Sequence, residues 1–222
     1  MFRINKRENE GRDFILKSVE KFIKNRSDLK ILDIGAGSGS DIFNINLNSK
    51  NLNFHAINCL KNPELNRRLK IEKISFKEHI LDIERSRLPF KDDSVDIIIA
   101  NQILEHSKEI FWIFHEISRV LKINGKLIIG TPNLASLHNR ILMFCGVQPT
   151  CIKLNSGHIR GFTLKGILKF IDQKFSQGYE LIDFEGRNFY LFPSFLSKIL
   201  CYFFQKISVI IFINLKKINY YN

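Results

Sequence analysis

No two of the four cysteines, Cys59, Cys145, Cys151 and Cys201, have CxxC spacing, so the usual patterns for structural zinc and dithiol redox chemistry are missing. Scattered thiols of this kind fit a reducing cytoplasm. The first thirty residues mix nine basic with five acidic side chains and contain no long apolar run, unlike a secretory signal. Gly-Lys-Ser/Thr does not occur, which argues against a Walker-type phosphate loop. Internal repeats and low-complexity linkers are also lacking. Acid is in short supply: 22 Asp and Glu face 34 Lys and Arg, a formal net charge of +12. That sign permits nucleic acid, anionic lipid or acidic metabolites as partners without choosing among them.

What is present is a globular composition, 45% hydrophobic and 25% charged over 222 residues. This suits one core and a single domain over 1–222 with elaborations, and excludes a disordered, collagen-like or disulfide-built chain. Phe14, Ile15, Val19, Phe22 and Ile23 recur at helical spacing and predict a helix over 11–26, within an N-terminal helical segment 1–28. Strand-like runs follow at 29–34, 53–57, 76–81, 94–100 and 126–131. Val95, Ile97, Ile98 and Ile99 suit a central parallel strand covered on both faces. Between the last two strands, 108–121 carries one apolar helical stripe, ended by Asn124-Gly125. Strands alternating with helices imply a Rossmann-like, doubly wound α/β fold: a mostly parallel, seven-stranded sheet with helices on both faces. Residues 132–160, with two prolines, two glycines and little period, read as an insertion over the active end of the sheet. A helix over 163–175 with Thr163 as its cap, and strands at 179–184 and 209–214, close the chain.

The informative segment is Ile31-Leu32-Asp33-Ile34-Gly35-Ala36-Gly37-Ser38-Gly39. It sits where the first strand turns into a helix, the place where a doubly wound sheet binds its ligand. The third glycine comes one residue too early for the dinucleotide fingerprint, and Asp33 would repel a pyrophosphate. A carboxylate there suits a cofactor with a positive amino-acid end.

These residues resemble motif I of the class I S-adenosylmethionine-dependent methyltransferases, of the type 11 or type 23 kind. The resemblance continues in order: Asp82 after the third strand, the lead 88–96 (LPFKDDSVD), the post-strand-four stretch 101–106 (NQILEH), the helix and turn 116–126 (EISRVLKINGK), and 157–163 (GHIRGFT). It covers roughly residues 28–185. It implies S-adenosyl-L-methionine as cofactor, its methionine end held by Asp33, Gly35, Ala36, Gly37 and Asn101, and its adenine by Asp82 with the Ile83 backbone. The ribose falls to Asn58, where the family usually has an acid. Losing charge-assisted bonds there weakens binding by about 1–3 kcal/mol, and Glu64 is a nearby substitute.

A hydroxyl acceptor needs a base as its bond to the methyl group forms. The candidates are His106, which can equally cap or pack a helix start beside Glu105, and His158, which can equally sit on a solvated loop. Arg160 is placed to pair with an acidic group on the substrate. Some relatives with Glu-x-x-Glu-His after strand four hold a divalent metal. Gln102, Glu105 and His106 lack one acid of that set, and no metal is expected.

The segment 186–222 has five basic residues, no acid, and ten of the 26 aromatics. It reads either as a membrane-facing surface or, preferentially, as the link between the last two strands, which predicts that most of its aromatics are buried. The expected activity is methylation, at oxygen, of a small molecule, glycan or lipid-linked intermediate, in the cytoplasm with peripheral membrane contact. A non-catalytic binding or scaffold protein and an RNA methyltransferase are the alternatives. With no module that grips a duplex, DNA is not an expected partner.

Overall fold

The computed structural model describes residues 11–24, 26, 28–48, 52–190 and 192–220. The first ten residues of the expected N-terminal segment, with 25 and 27, lie outside them. In chain order the main elements are α1 (Arg12–Ile23), β1 (Lys30–Ile34), α2 (Ser40–Asn48), β2 (Asn53–Asn58), α3 (Pro63–Ile71), β3 (Phe76–Ile80), β4 (Val95–Asn101), α4 (Ile110–Val120), β5 (Leu121–Pro132), α5 (Leu137–Phe144), α6 (Leu164–Lys174), β6 (Tyr179–Arg187), α7 (Ser194–Phe203) and β7 (Ile210–Lys217). The strands form one sheet in the order β3-β2-β1-β4-β5-β7-β6. All neighbours pair in parallel except β7, which is antiparallel to both β5 and β6. Strand order reverses between β1 and β4, and there the carboxyl ends leave a crevice.

The run Val95–Ile99 is buried on both sides. Ile97 and Ile99 pack with Phe14, Ile15, Val19, Ile42, Leu65 and Leu69, which places α1, α2 and α3 on one face. Ile98 packs with Phe114, Ile117, Ile167 and Ile171 from α4 and α6 on the other. The helix spacing of these apolar residues thus produces two cores, one per face.

Two motif segments prove to be each other's partners. Glu116 accepts from the Leu88 backbone N–H at 2.7 Å, and Arg119 bonds Glu116 at 2.6 Å and the carbonyls of Leu88 and Phe90 at 3.0 and 2.9 Å. They brace the lead into β4. Asn124 takes φ 65°, so the turn after α4 falls inside β5, whose pairing with β4 shifts register there.

Within residues 132–160, Ser136 caps α5 by accepting from the Asn139 N–H, and Asn139 ties the turn to Thr150 and Cys151. The mixed apolar and polar residues of α5 hid its period. The segment after Gly186 does link β6 to β7, yet most of its aromatics are not buried. Phe189 and Phe212 are buried, whereas Tyr190, Phe195, Tyr202, Phe203, Phe204 and Tyr220 are exposed.

Candidate functional site

A cleft of about 400 Å³ opens at the carboxyl ends of β1, β2 and β4. Gly35, Gly37, Asn58, Asp82, Ile83 and His106 all line it, together with Ile57, Cys59, Asn62, Ile103 and Ser107. Six residues expected from the sequence therefore meet in one place. Gly37 has φ 53°, a conformation L side chains rarely adopt, and a Cβ built on it would meet nothing closer than the Gly35 carbonyl at 3.9 Å. The loop keeps open the space a ligand needs. Gly39 serves a different purpose: its φ is 75° and a Cβ would strike Leu65 at 2.5 Å, so it seats the loop against α3.

Asn58 differs from its expected role. Its Oδ1 accepts the Gly37 N–H at 2.9 Å, while Nδ2 is buried without a hydrogen-bond partner among the described residues. The side-chain oxygen holds the loop, and the group without a partner among the described residues is a donor. Asp82 uses Oδ1 to accept the Glu84 N–H at 2.9 Å and its carbonyl to cap the turn through Ser86. Glu64 is exposed at the start of α3 and does not reach the cleft.

Asp33 does not line the cleft. It is buried on the sheet face that α1 and α2 cover, with Oδ2 unpartnered. Burial raises its carboxyl well above the usual range; the charge of Asp41 adds to this and Arg12 opposes it. Asn101 also differs from its expected role: Nδ2 donates to Asp41 Oδ2 at 2.9 Å, and Asp41 Oδ1 pairs with Arg12 at 2.9 Å. Asn101 Oδ1 is left buried and unpartnered. The Arg12–Asp41–Asn101 chain carries no motif and was not legible in the sequence. Ala36 contributes backbone only, its N–H donating to the Ile57 carbonyl at 3.1 Å.

Above the β4 end, a short turn at Leu104–His106 sets His106 beside His158, ring centroids 4.6 Å apart. His106 Nδ1 lies 2.9 Å from the Gly157 carbonyl and His158 Nδ1 lies 3.1 Å from the Cys151 carbonyl. A carbonyl only accepts, so each Nδ1 donates, and in the neutral ring the lone pair then lies on Nε2. Glu105 completes the group: ligand atoms of the three residues lie within 4.8 Å of one another. Its carboxylate is buried with no hydrogen bond of ordinary geometry. Burial pushes it up to about 7, against weaker pulls from its own backbone N–H and the Thr131 hydroxyl. His158 replaces Gln102, which is exposed at φ 56°. Arg160 does not line the cleft; its guanidinium donates to the Lys108 carbonyl at 3.1 Å, and Nε is buried without a partner.

The strand order, the glycine loop at the switch point and a cleft beside two imidazoles define a nucleotide-cofactor enzyme fold of the methyltransferase class. Residues 25–174 match the family described as "Methyltransferase domain", and the chain belongs to that family. A relative named "Ubiquinone biosynthesis O-methyltransferase", from Pelagibacter ubique, is 30% identical over 138 residues, 57% of this chain and 50% of that protein. The chain spans about half the length of the curated relatives it matches. Among solved structures, the [4+2]-cyclase SpnF superposes with TM-score 0.67 at 16% identity, over 93% of this chain and 80% of that one. A Burkholderia thailandensis 1,6-didemethyltoxoflavin-N1-methyltransferase, solved with S-adenosylhomocysteine, superposes with TM-score 0.61 at 13% identity, covering 94% and 77%. At these identities the likeness is one of fold.

Methyltransferases of this class take the methyl group from S-adenosylmethionine, and the cleft fits it. The open space at Gly37 and the Asn58 donor without a partner among the described residues are unmet capacity for a ligand with hydroxyl groups.

Proposed function

We propose that the chain methylates a small, amphiphilic acceptor at oxygen, with His106 and His158 as the proton acceptors. The observation that carries this reading is the His106–His158 pair, His106 lining the cleft and both rings held by Nδ1 bonds to carbonyls that leave Nε2 without that bond. S-adenosylmethionine, when bound, supplies an electrophilic methyl group. Backbone N–H groups of the loop 35–37 would hold its amino-acid end. Asn58 would donate to the ribose, and Asp82 with the Ile83 backbone would meet the adenine. One imidazole takes the hydroxyl proton as the oxygen attacks, and the second orients the acceptor. Arg160 serves an acidic acceptor group only if it leaves Lys108.

The acceptor is a glycan or lipid-linked intermediate within this reading, and the C-terminal segment makes the peripheral membrane contact. Asn58 favours a second reading, a binding protein that keeps the fold, because its oxygen is committed to Gly37. Incubation with methyl-labelled cofactor and total lipid extract separates the readings. Label should enter an organic-extractable product. Label found only in RNA, or no transfer with cofactor bound, contradicts the proposal.

A further inference from the structure

We infer that α7 docks the active end of the sheet on an anionic lipid bilayer, a step that deepens the amphiphilic-acceptor reading and draws its purpose from it. At about 100° per residue, Phe195, Lys198, Ile199, Tyr202 and Phe203 fall within an arc of about 140°. Phe195, Ile199, Tyr202 and Phe203 are each between 52% and 77% exposed, so the apolar face of this helix points outward. The inner side is fixed: the buried Phe189 donates its N–H to Ser197 Oγ at 2.9 Å, and Ser197 is itself buried. No helix among the described residues is long and apolar enough to cross a membrane, which leaves an in-plane contact as the lipid geometry open to this face.

Its location follows from the strand pairing. Pro132 at the end of β5 and Arg187 at the end of β6 both face Ile210 at the start of β7. The connection that contains α7 is therefore at the same end of the sheet as the cleft. Asn133 fastens it there, donating to the carbonyls of Lys206 and Ser208 at 2.9 and 2.8 Å. From Asn133 the chain runs directly into α5, where His138 meets Tyr190 edge-on with centroids 5.6 Å apart and where Ile141, Met143 and Phe144 are exposed.

Charge selects the occupant. No acid occurs from Gly186 to the last residue, while Lys198 and Lys206 flank the exposed rings. Aromatic side chains with lysines on one helical face suit the boundary between headgroup and acyl chain, and the lysines favour anionic headgroups. An acceptor dissolved in the bilayer would meet the cleft without crossing bulk water.

Co-sedimentation with vesicles tests this, using the full chain without acceptor or cofactor at about 0.1 M salt. Vesicles of phosphatidylglycerol and phosphatidylcholine in equal parts should retain the protein, and pure phosphatidylcholine should retain several-fold less. Replacing Phe195, Tyr202 and Phe203 together by Ser should lower retention at least about tenfold. Cofactor titration of that triple variant should be unchanged, which shows that it folds and separates this proposal from methyl transfer. Failure of the unaltered chain to bind anionic vesicles overturns the proposal. So does unchanged retention of the triple variant, or a dimer in sedimentation equilibrium that the triple variant dissociates while vesicles bind neither protein.

Discussion

The active edge of the sheet has two halves built on different terms. Over β3, β2, β1 and β4 the edge is tightly bonded: Asn58 fixes the loop, Asp82 caps its own turn, and Gly37 and Gly39 have separate geometric duties. Over β5, β7 and β6 it is apolar and outward-facing, with Phe144, Phe195 and Tyr202 in the open. One half is shaped for a single molecule whose charge and hydroxyl pattern do not vary. The other offers area and adaptable contact, the terms on which a varied acceptor or a membrane is met.

The contrast can be broken experimentally. The largest effect should come from Gly37→Val. A β-branched residue at φ 53° is strained and fills the space the loop keeps open. Cofactor affinity should fall at least about 100-fold, or about 2.7 kcal/mol, while vesicle retention stays as before. Equal loss of both would show that the halves are not independent. Next in size, His106→Gln and His158→Gln should each reduce turnover by about 10², the lower range for a general base, with cofactor affinity intact. Turnover untouched by His106→Gln removes it as the base, and turnover abolished by a chelator would make the cluster a metal site.

Glu105 sharpens the comparison at its seam. Its folded-state carboxyl is raised to about 7 from an ordinary 4.5, so the folded protein binds more protons between those values and loses stability as pH rises through the window. Glu105→Gln should therefore be stabilising above pH 7, by an amount on the order of 2–3 kcal/mol. The advantage should fade below about pH 4.5. Thermal unfolding at both ends measures it, and a pH-independent difference would contradict the burial of an ionising carboxyl. The smallest effect is expected from Asn58→Asp. An ionised side chain would still accept from Gly37 and would offer its second oxygen to the ribose, tightening cofactor binding up to about tenfold. Weaker binding would mean that the bond donated by Nδ2 is worth more to the ribose than the charge-assisted bond that replaces it.

The same contrast explains what was legible in the sequence. The sheet and its helices followed from spacing, because burial on two faces leaves long apolar runs and 3.6-residue stripes. Gly37 was locatable because the glycine loop follows the first strand, and Asn58 and Asp82 because the family resemblance places ligand contacts after the second and third strands. Their bonds were not: which oxygen of Asn58 is engaged, and whether Asp33 faces solvent or α2, depend on packing between elements distant in sequence. The Arg12–Asp41–Asn101 chain joins residues up to 89 positions apart in the sequence, with no local pattern. Burial of the C-terminal aromatics was expected from hydrophobicity alone. It failed because α7 turns its Ser197 and Cys201 side inward and its rings out.

Isothermal titration of the purified chain with S-adenosylmethionine is the most direct test of the cleft. Saturable heat at one site per chain, in the micromolar range and lost in Gly37→Val, is the predicted outcome. No heat at millimolar cofactor, from protein whose unfolding transition is cooperative, would contradict the assignment.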